Sequence, residues 1–200
     1  MGLKIPIFGT LFESIQAEFK VKVRPVPGCV LKCDIAGGAS FLLGSVCHTG
    51  IYLGDDRIAE ITNVNGKAKI HIVDPYDFLN GEGTNFLRTG INIYVATDGE
   101  GNALGKQEIA DRALRRQKSR RSCGEYDLVD NNCHKFTVWC VSGEEPDEAQ
   151  LTESDVENAL EAEFGCDQVT WEPTGFGAGD TSFDDVDYDG KCVNQKGNRS

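Results

Sequence analysis

Between residues 47 and 73, three apolar, β-branched runs follow one another with almost nothing between them. CHTGIYL (47–53) and RIAEI (57–61) are separated by Gly54-Asp55-Asp56, and KAKIHIV (67–73) follows the turn Asn65-Gly66. Gly, Asn and Asp supply the positive φ angles that tight hairpins need. Connections this short cannot hold a crossover helix, so neighbouring strands must run antiparallel. CVLKC (29–33), after Pro27-Gly28, and INIYVAT (91–97) are two further strand-like runs. The five together predict a mainly antiparallel sheet.

The remaining periodic stretches are helical. KQEIADRALRRQK (106–118) puts Ile109, Ala113 and Arg116 on one face, with Ala110 and Leu114 beside it. CHKFTVWCV (133–141) follows Asp130, Asn131 and Asn132, all good N-cap residues. Thr152-x-x-Asp155 is a capping box that opens a helix over 153–164. Ile5, Phe8, Leu11, Phe12, Ile15 and Phe19 form an amphipathic stretch, expected as a helix packed on the domain. From Gly165 onward Gly, Asp, Asn and Ser dominate. The expected class is α+β, an antiparallel sheet packed against helices. Its expected organisation is an N-terminal segment (1–27), one domain (28–143), an acidic helical extension (144–165) and a flexible Gly/Asp-rich tail (166–200).

A 200-residue chain suits one domain with a normal core. Its net charge is −12, but Glu144 to Asp189 hold 16 acids and no Lys or Arg. The rest of the chain has 16 acids against 20 bases, so the acidity belongs to the C-terminal segment. This balance argues against nucleic-acid binding. No apolar run reaches the roughly 18 to 20 residues of a membrane span. Pro6, Gly9, Glu13 and Glu18 interrupt the N-terminal stretch, unlike a secretory signal. The eight cysteines are then expected as reduced thiols in a cytoplasmic protein. Nothing beside Cys29 and Cys33 completes a zinc site, and the chain calls for no metal or cofactor.

Two patterns are weaker. Arg112, Arg115, Arg116, Lys118, Arg120 and Arg121 make a basic run, expected as a solvated face or a dock for the acidic tail, with an anionic substrate or headgroup as the alternative. Peripheral membrane contact stays open. Asp185, Asp187, Asp189 and Gly190 match the first half of a calcium loop, but Lys196 stands where the loop needs Glu.

The stretch NNCHKFTVWC (131–140) puts Cys133 just behind an Asn cap, where a helix N-terminus favours a thiolate. His134 is a poor base for its neighbour, because successive helical side chains diverge. Of the other two histidines, His71 lies inside an alternating strand and could point to either face. His48 opens the hairpin HTGIYLGDDRIAEI, with Glu60 approximately across from it. Such a carboxylate accepts from one imidazole nitrogen and leaves the other for Cys133. Cys133 alone would equally fit a small buried core residue. Cys140, two helical turns further on, is expected in the core.

HTGIYLGDDRIAEI and RALRRQKSRRSCGEYDLVDNNCHKFTVWCVSG together resemble the two motifs of the lecithin:retinol acyltransferase-like family. The resemblance covers about residues 28–143. It implies a circularly permuted papain-like, NlpC-type domain, with Cys133 as nucleophile, His48 as base and Glu60 as the third polar residue. Many members carry a histidine at the position of Glu60. Many also read Asn-Cys-Glu-His-Phe where this chain reads Asn132-Cys133-His134-Lys135-Phe136, so no family role passes to His134. The implied activity is acyl transfer or hydrolysis of an ester, amide or thioester through an acyl-enzyme. The substrate would be an acyl-containing lipid or peptide. The alternatives are a catalytically silent interaction domain, or a cysteine peptidase or amidase.

Overall fold

The computed structural model describes residues 22–34, 47–81, 92–119, 132–146 and 152–177. Six strands form one antiparallel sheet: β1 (Val30–Asp34), β2 (Cys47–Gly54), β3 (Arg57–Val64), β4 (Lys67–Val73), β5 (Asn92–Thr97) and β6 (Thr170–Gly177). Their spatial order is β4-β3-β2-β1-β5-β6. The helices are α1 (Pro75–Asn80), α2 (Gln107–Lys118), α3 (Cys133–Ser142) and α4 (Glu153–Phe164). The protein is α+β.

The hairpins follow from their turn residues. Asp55 and Asp56 join β2 to β3 with φ of 51° and 54°, and Asn65-Gly66 joins β3 to β4 with φ of 54° and 80°. Asp and Asn tolerate this left-handed region better than most residues. Positive φ at both turn positions gives a twist that matches the flanking strands.

Alternation along the strands divides the core in two. Val30, Ile51, Ala59 and Ile61 face α2, α3 and α4, where Ile109, Ala113, Cys140, Val141, Val156 and Leu160 are fully buried. Leu31, Cys33, Tyr52, Ile58, Ile93 and Val95 point the other way, onto Phe78 and Leu79 of α1 and Phe176 of β6. His48 and Glu60 fall on this second face, in phase with Tyr52 and Ile58.

The ladder between β2 and β3 is short. It runs from Gly54↔Arg57 through Tyr52↔Ile58 to Ile51↔Ala59, and β3 then continues only with β4. Extending that register sets Gly50, not His48, opposite Glu60. The hairpin therefore brings His48 and Glu60 together as diagonal neighbours on one face, two residues away from direct opposition.

Several elements depart from the sequence-based expectation. Residues 170–177 are a strand, not flexible tail: β6 pairs with β5 through Tyr94↔Pro173, Val95↔Glu172 and Ala96↔Trp171. An edge strand tolerates Pro173 because its outer side needs no ladder donor. α4 is not a loose extension, since Val156 and Leu160 are buried in the same core as α3. The Asp155 carboxylate caps it, accepting from the Thr152 amide at 2.6 Å and hydroxyl at 2.7 Å. α1 was not foreseen at all, although Asp74 caps it, Pro75 starts it and Gly81 ends it in the left-handed region.

Part of the basic run faces inward. Arg112 donates to the Cys140 and Val141 carbonyls at 2.9 and 2.6 Å, satisfying the C-terminal end of α3. Arg116 lies over the Trp139 ring at 4.8 Å and pairs with Glu145 at 3.4 Å. Both therefore belong to the α2–α3 contact rather than to a solvated face. The segment 1–21, the basic residues Arg120 and Arg121, and the acidic tail with its calcium-like pattern lie outside the described residues.

Gly50 is the tightest point beneath the second face. A Cβ there would lie 2.9 Å from the Ala59 carbonyl oxygen and 2.9 Å from the Phe78 ring. Phe78 in turn packs against the His48 ring at 5.3 Å between centroids. Gly50→Ala should therefore destabilise the fold by about 1–3 kcal/mol, the usual range for overpacking. Urea midpoints check this, and an unchanged midpoint contradicts the close approach.

Candidate active site

Three elements converge on one point. α3 begins with Cys133 directly after its cap, and the Asn132 side chain accepts from the Lys135 amide at 2.9 Å. The first amides of a helix have no intrahelical acceptor, and their dipoles favour negative charge. Cys133 is thus placed at the positive end of α3 and is only 5% exposed.

The sulfur sits in the fork where β2 and β3 separate. Past Ile51, the inward backbone groups of β2 have no ladder partner on β3. The Cys133 thiol donates to the Cys47 carbonyl at 3.9 Å, and the Thr49 amide donates to the sulfur. The buried Thr49 and Thr137 hydroxyls, 2.9 Å apart, tie β2 to α3 one turn beyond Cys133.

His48 reaches the same sulfur with a side-chain hydrogen bond. Its Nε2 lies 2.8 Å from Glu60 Oε2, and the two side chains are only 4% and 3% exposed. A carboxylate is an acceptor only, so Nε2 carries the proton, and Nδ1 remains for the thiol. Cys133, His48 and Glu60, from α3, β2 and β3, are therefore in contact in sequence.

The electrostatics of the thiol follow. Burial pushes the Cys133 thiol up. The charges of His48 and His134, the His48 hydrogen bond and the Thr49 amide act against burial and win, holding it at about 6. Cys29 is pushed up to about 12 by burial, and burial also raises Cys140 despite nearby Arg116 and Arg112. Cys133 is the described thiol whose pKa is driven downward.

His134 points away from the Cys133–His48 pair. Its Nε2 is 3.5 Å from the sulfur of Cys47, which also donates to Glu153 Oε2 at 3.5 Å. Glu153 is ion-paired with Lys32, whose ammonium lies over the Trp171 ring at 4.4 Å. Burial first, and then the Glu153 charge, raise the Cys47 thiol. Two adjacent Cys-His dipeptides thus cross over: Cys133 meets His48, and Cys47 meets His134. The described cysteines, Cys29, Cys33, Cys47, Cys133, Cys140 and Cys166, are all free thiols. Among the described residues no group of three ligand side chains could hold a metal ion, and no helix is long and apolar enough to cross a membrane.

One residue of this face escaped the sequence reading. His71 of β4 is paired with Glu60 in the β3–β4 register, so both side chains leave the sheet on the same side. Counting the alternation across two Asn/Asp-type turns would have placed it.

A thiol, an imidazole and a carboxylate at a helix N-terminus on an antiparallel sheet define the class of cysteine-dependent acyl-transfer sites. A sequence model described as lecithin retinol acyltransferase matches residues 44–146, a little over half of the chain. The chain belongs to that family, whose chemistry in general is acyl transfer or hydrolysis. No curated protein and no solved structure matches it.

Replacing the carboxylate tests the electrostatics. Glu60→Gln keeps an acceptor for Nε2–H but removes the charge that favours the imidazolium. The thiol should rise by about one pKa unit, roughly a tenfold change in the thiolate equilibrium at low thiolate fraction. Iodoacetamide labelling of Cys133 followed across pH should show its midpoint moving upward. A midpoint that stays in place contradicts the role of Glu60.

Proposed function

We propose that the chain is a thiol acyltransferase or hydrolase that works through an acyl-enzyme on Cys133. The observation that carries this reading is the single His48 ring shared by the Cys133 thiol and the Glu60 carboxylate. The catalytic unit would be a permuted papain-like domain that includes α4 and β6.

The steps follow from the donors and acceptors. Glu60 accepts the Nε2 proton and fixes the His48 tautomer. Nδ1 takes the thiol proton, leaving an imidazolium–thiolate pair. The thiolate is held by the Thr49 amide and the dipole of α3. It attacks the carbonyl carbon of an ester, amide or thioester, forming a C–S bond. The negative charge moves to the carbonyl oxygen, where the first amides of α3 are suitable donors. The imidazolium then gives its proton to the leaving alcohol, amine or thiol as the tetrahedral species collapses to a thioester. In the second half, Nδ1 takes a proton from water or an acceptor nucleophile as this attacks the thioester. The Cys133 thiolate leaves, and the product carries the acyl group away.

The alternative, an interaction domain that uses the same fold without chemistry, makes a different prediction. Incubation with a p-nitrophenyl ester should leave an acyl mass on the peptide containing Cys133, with release of p-nitrophenol. Cys133→Ser should abolish both. His48→Ala should slow release by about 10²–10⁴-fold, the usual contribution of a positioned base. Acylation at another cysteine, or turnover that survives Cys133→Ser, would overturn the assignment.

A further inference from the structure

Among the described residues one buried side-chain polar atom has no hydrogen-bond partner, and it is Nε2 of His71. Leaving such an atom unpaired costs about 1–3 kcal/mol, and buried polar groups in folded proteins are rarely left that way. Its position gives it a use. His71 is the direct cross-strand partner of Glu60, and such partners have Cβ atoms about 4.5–5.5 Å apart. Glu60 spends one of its roughly four acceptor sites on His48.

We propose that His71 is a positioning residue for Glu60, its Nε2–H closing onto the carboxylate as His48 takes up the thiol proton. The inference rests on the acyl-enzyme reading above. Its physical reason lies in the length of glutamate. A Glu side chain loses up to about 1.5–2 kcal/mol of rotamer freedom when fixed. One hydrogen bond to His48 fixes one oxygen and leaves the carboxylate able to rotate about it. A second donor from the neighbouring strand locks the plane, so that Oε2 stays aligned on His48. The charged and titratable groups near His71 are few: Glu60 and His48 on the same face, Lys69 two residues back on β4, and Asp74 and Asp77 at the start of α1, which packs on β4. Glu60 is the carboxylate in direct register with it.

The test uses the full chain and three variants. His71→Phe removes the donor and keeps a ring. His71→Gln keeps an N–H at about the reach of Nε2. His48→Ala is the reference for loss of the base. Measured at pH 7 are the iodoacetamide rate constant of Cys133, kcat and KM for a p-nitrophenyl ester, and the thermal midpoint. His71→Phe should slow alkylation and lower kcat about tenfold, one pKa unit's worth, with KM unchanged. Its thermal midpoint should hold or rise, because a ring without unpaired nitrogen replaces one with it. His71→Gln should recover most of the rate. Rates for His71→Phe within twofold of the parent, or a loss matched by a falling midpoint, overturn the proposal. If His48→Ala slows Cys133 while His71→Phe does not, only the role of His71 fails. If neither slows it, the acyl-enzyme reading fails as well, and this one with it.

Discussion

The sulfur of Cys133 stands where a strand would otherwise continue. β2 and β3 separate after the pair Ile51↔Ala59, and the sheet would be left with inward-pointing backbone groups on β2. The thiol and the Thr49 amide answer that deficit at the N-terminus of α3. A continued ladder would have filled the gap with main chain and shut the sulfur off from the second face of the sheet. The fork is therefore what lets a residue from the helical side touch a histidine from the other side. The Asn132 cap, the Thr49–Thr137 bond and the Arg112 bonds to the far end of α3 all hold this helix against the fork.

Around the fork, two polar chains run in opposite directions. One goes from Cys133 through His48 to Glu60, beneath Phe78 and beside His71. The other goes from His134 through Cys47 to Glu153 and Lys32, ending over Trp171. Their thiols are treated oppositely. Cys133 has cations and N–H donors around it and is driven down to about 6. Cys47 has burial and a carboxylate directly on its sulfur, and is driven up. Similar Cys-His neighbours in sequence thus become one reactive and one inert thiol, and environment alone makes the difference.

The sequence carried the sheet's hairpins clearly, because Gly54-Asp55-Asp56 and Asn65-Gly66 force tight turns between alternating runs. It also carried the α3 cap and the α4 capping box, since both rest on local side-chain chemistry. Proximity of His48 to Glu60 was legible from the hairpin, but not its diagonal form, because the early end of the β2–β3 ladder depends on α3 pressing in. β6 was hidden by its Gly- and Asp-rich setting and by Pro173, which is acceptable only at an edge. α1 was hidden by its six-residue length, although Asp74-Pro75 and Gly81 marked both ends. His71 could not be assigned a side from its own strand; only pairing with Glu60 settles it. The family's two motifs pointed to the match over residues 44–146, whereas the partner of Cys47 needed three-dimensional contact.

The central claim is that Cys133 is a thiolate at neutral pH because His48, backed by Glu60, outweighs burial. The most direct measurement is the ultraviolet thiolate absorbance of the folded chain across pH, with the Cys133→Ser protein subtracted. The account predicts a difference signal that rises with a midpoint at about pH 6. A difference signal that rises only at or above the ordinary cysteine value of about 8.5 would contradict it.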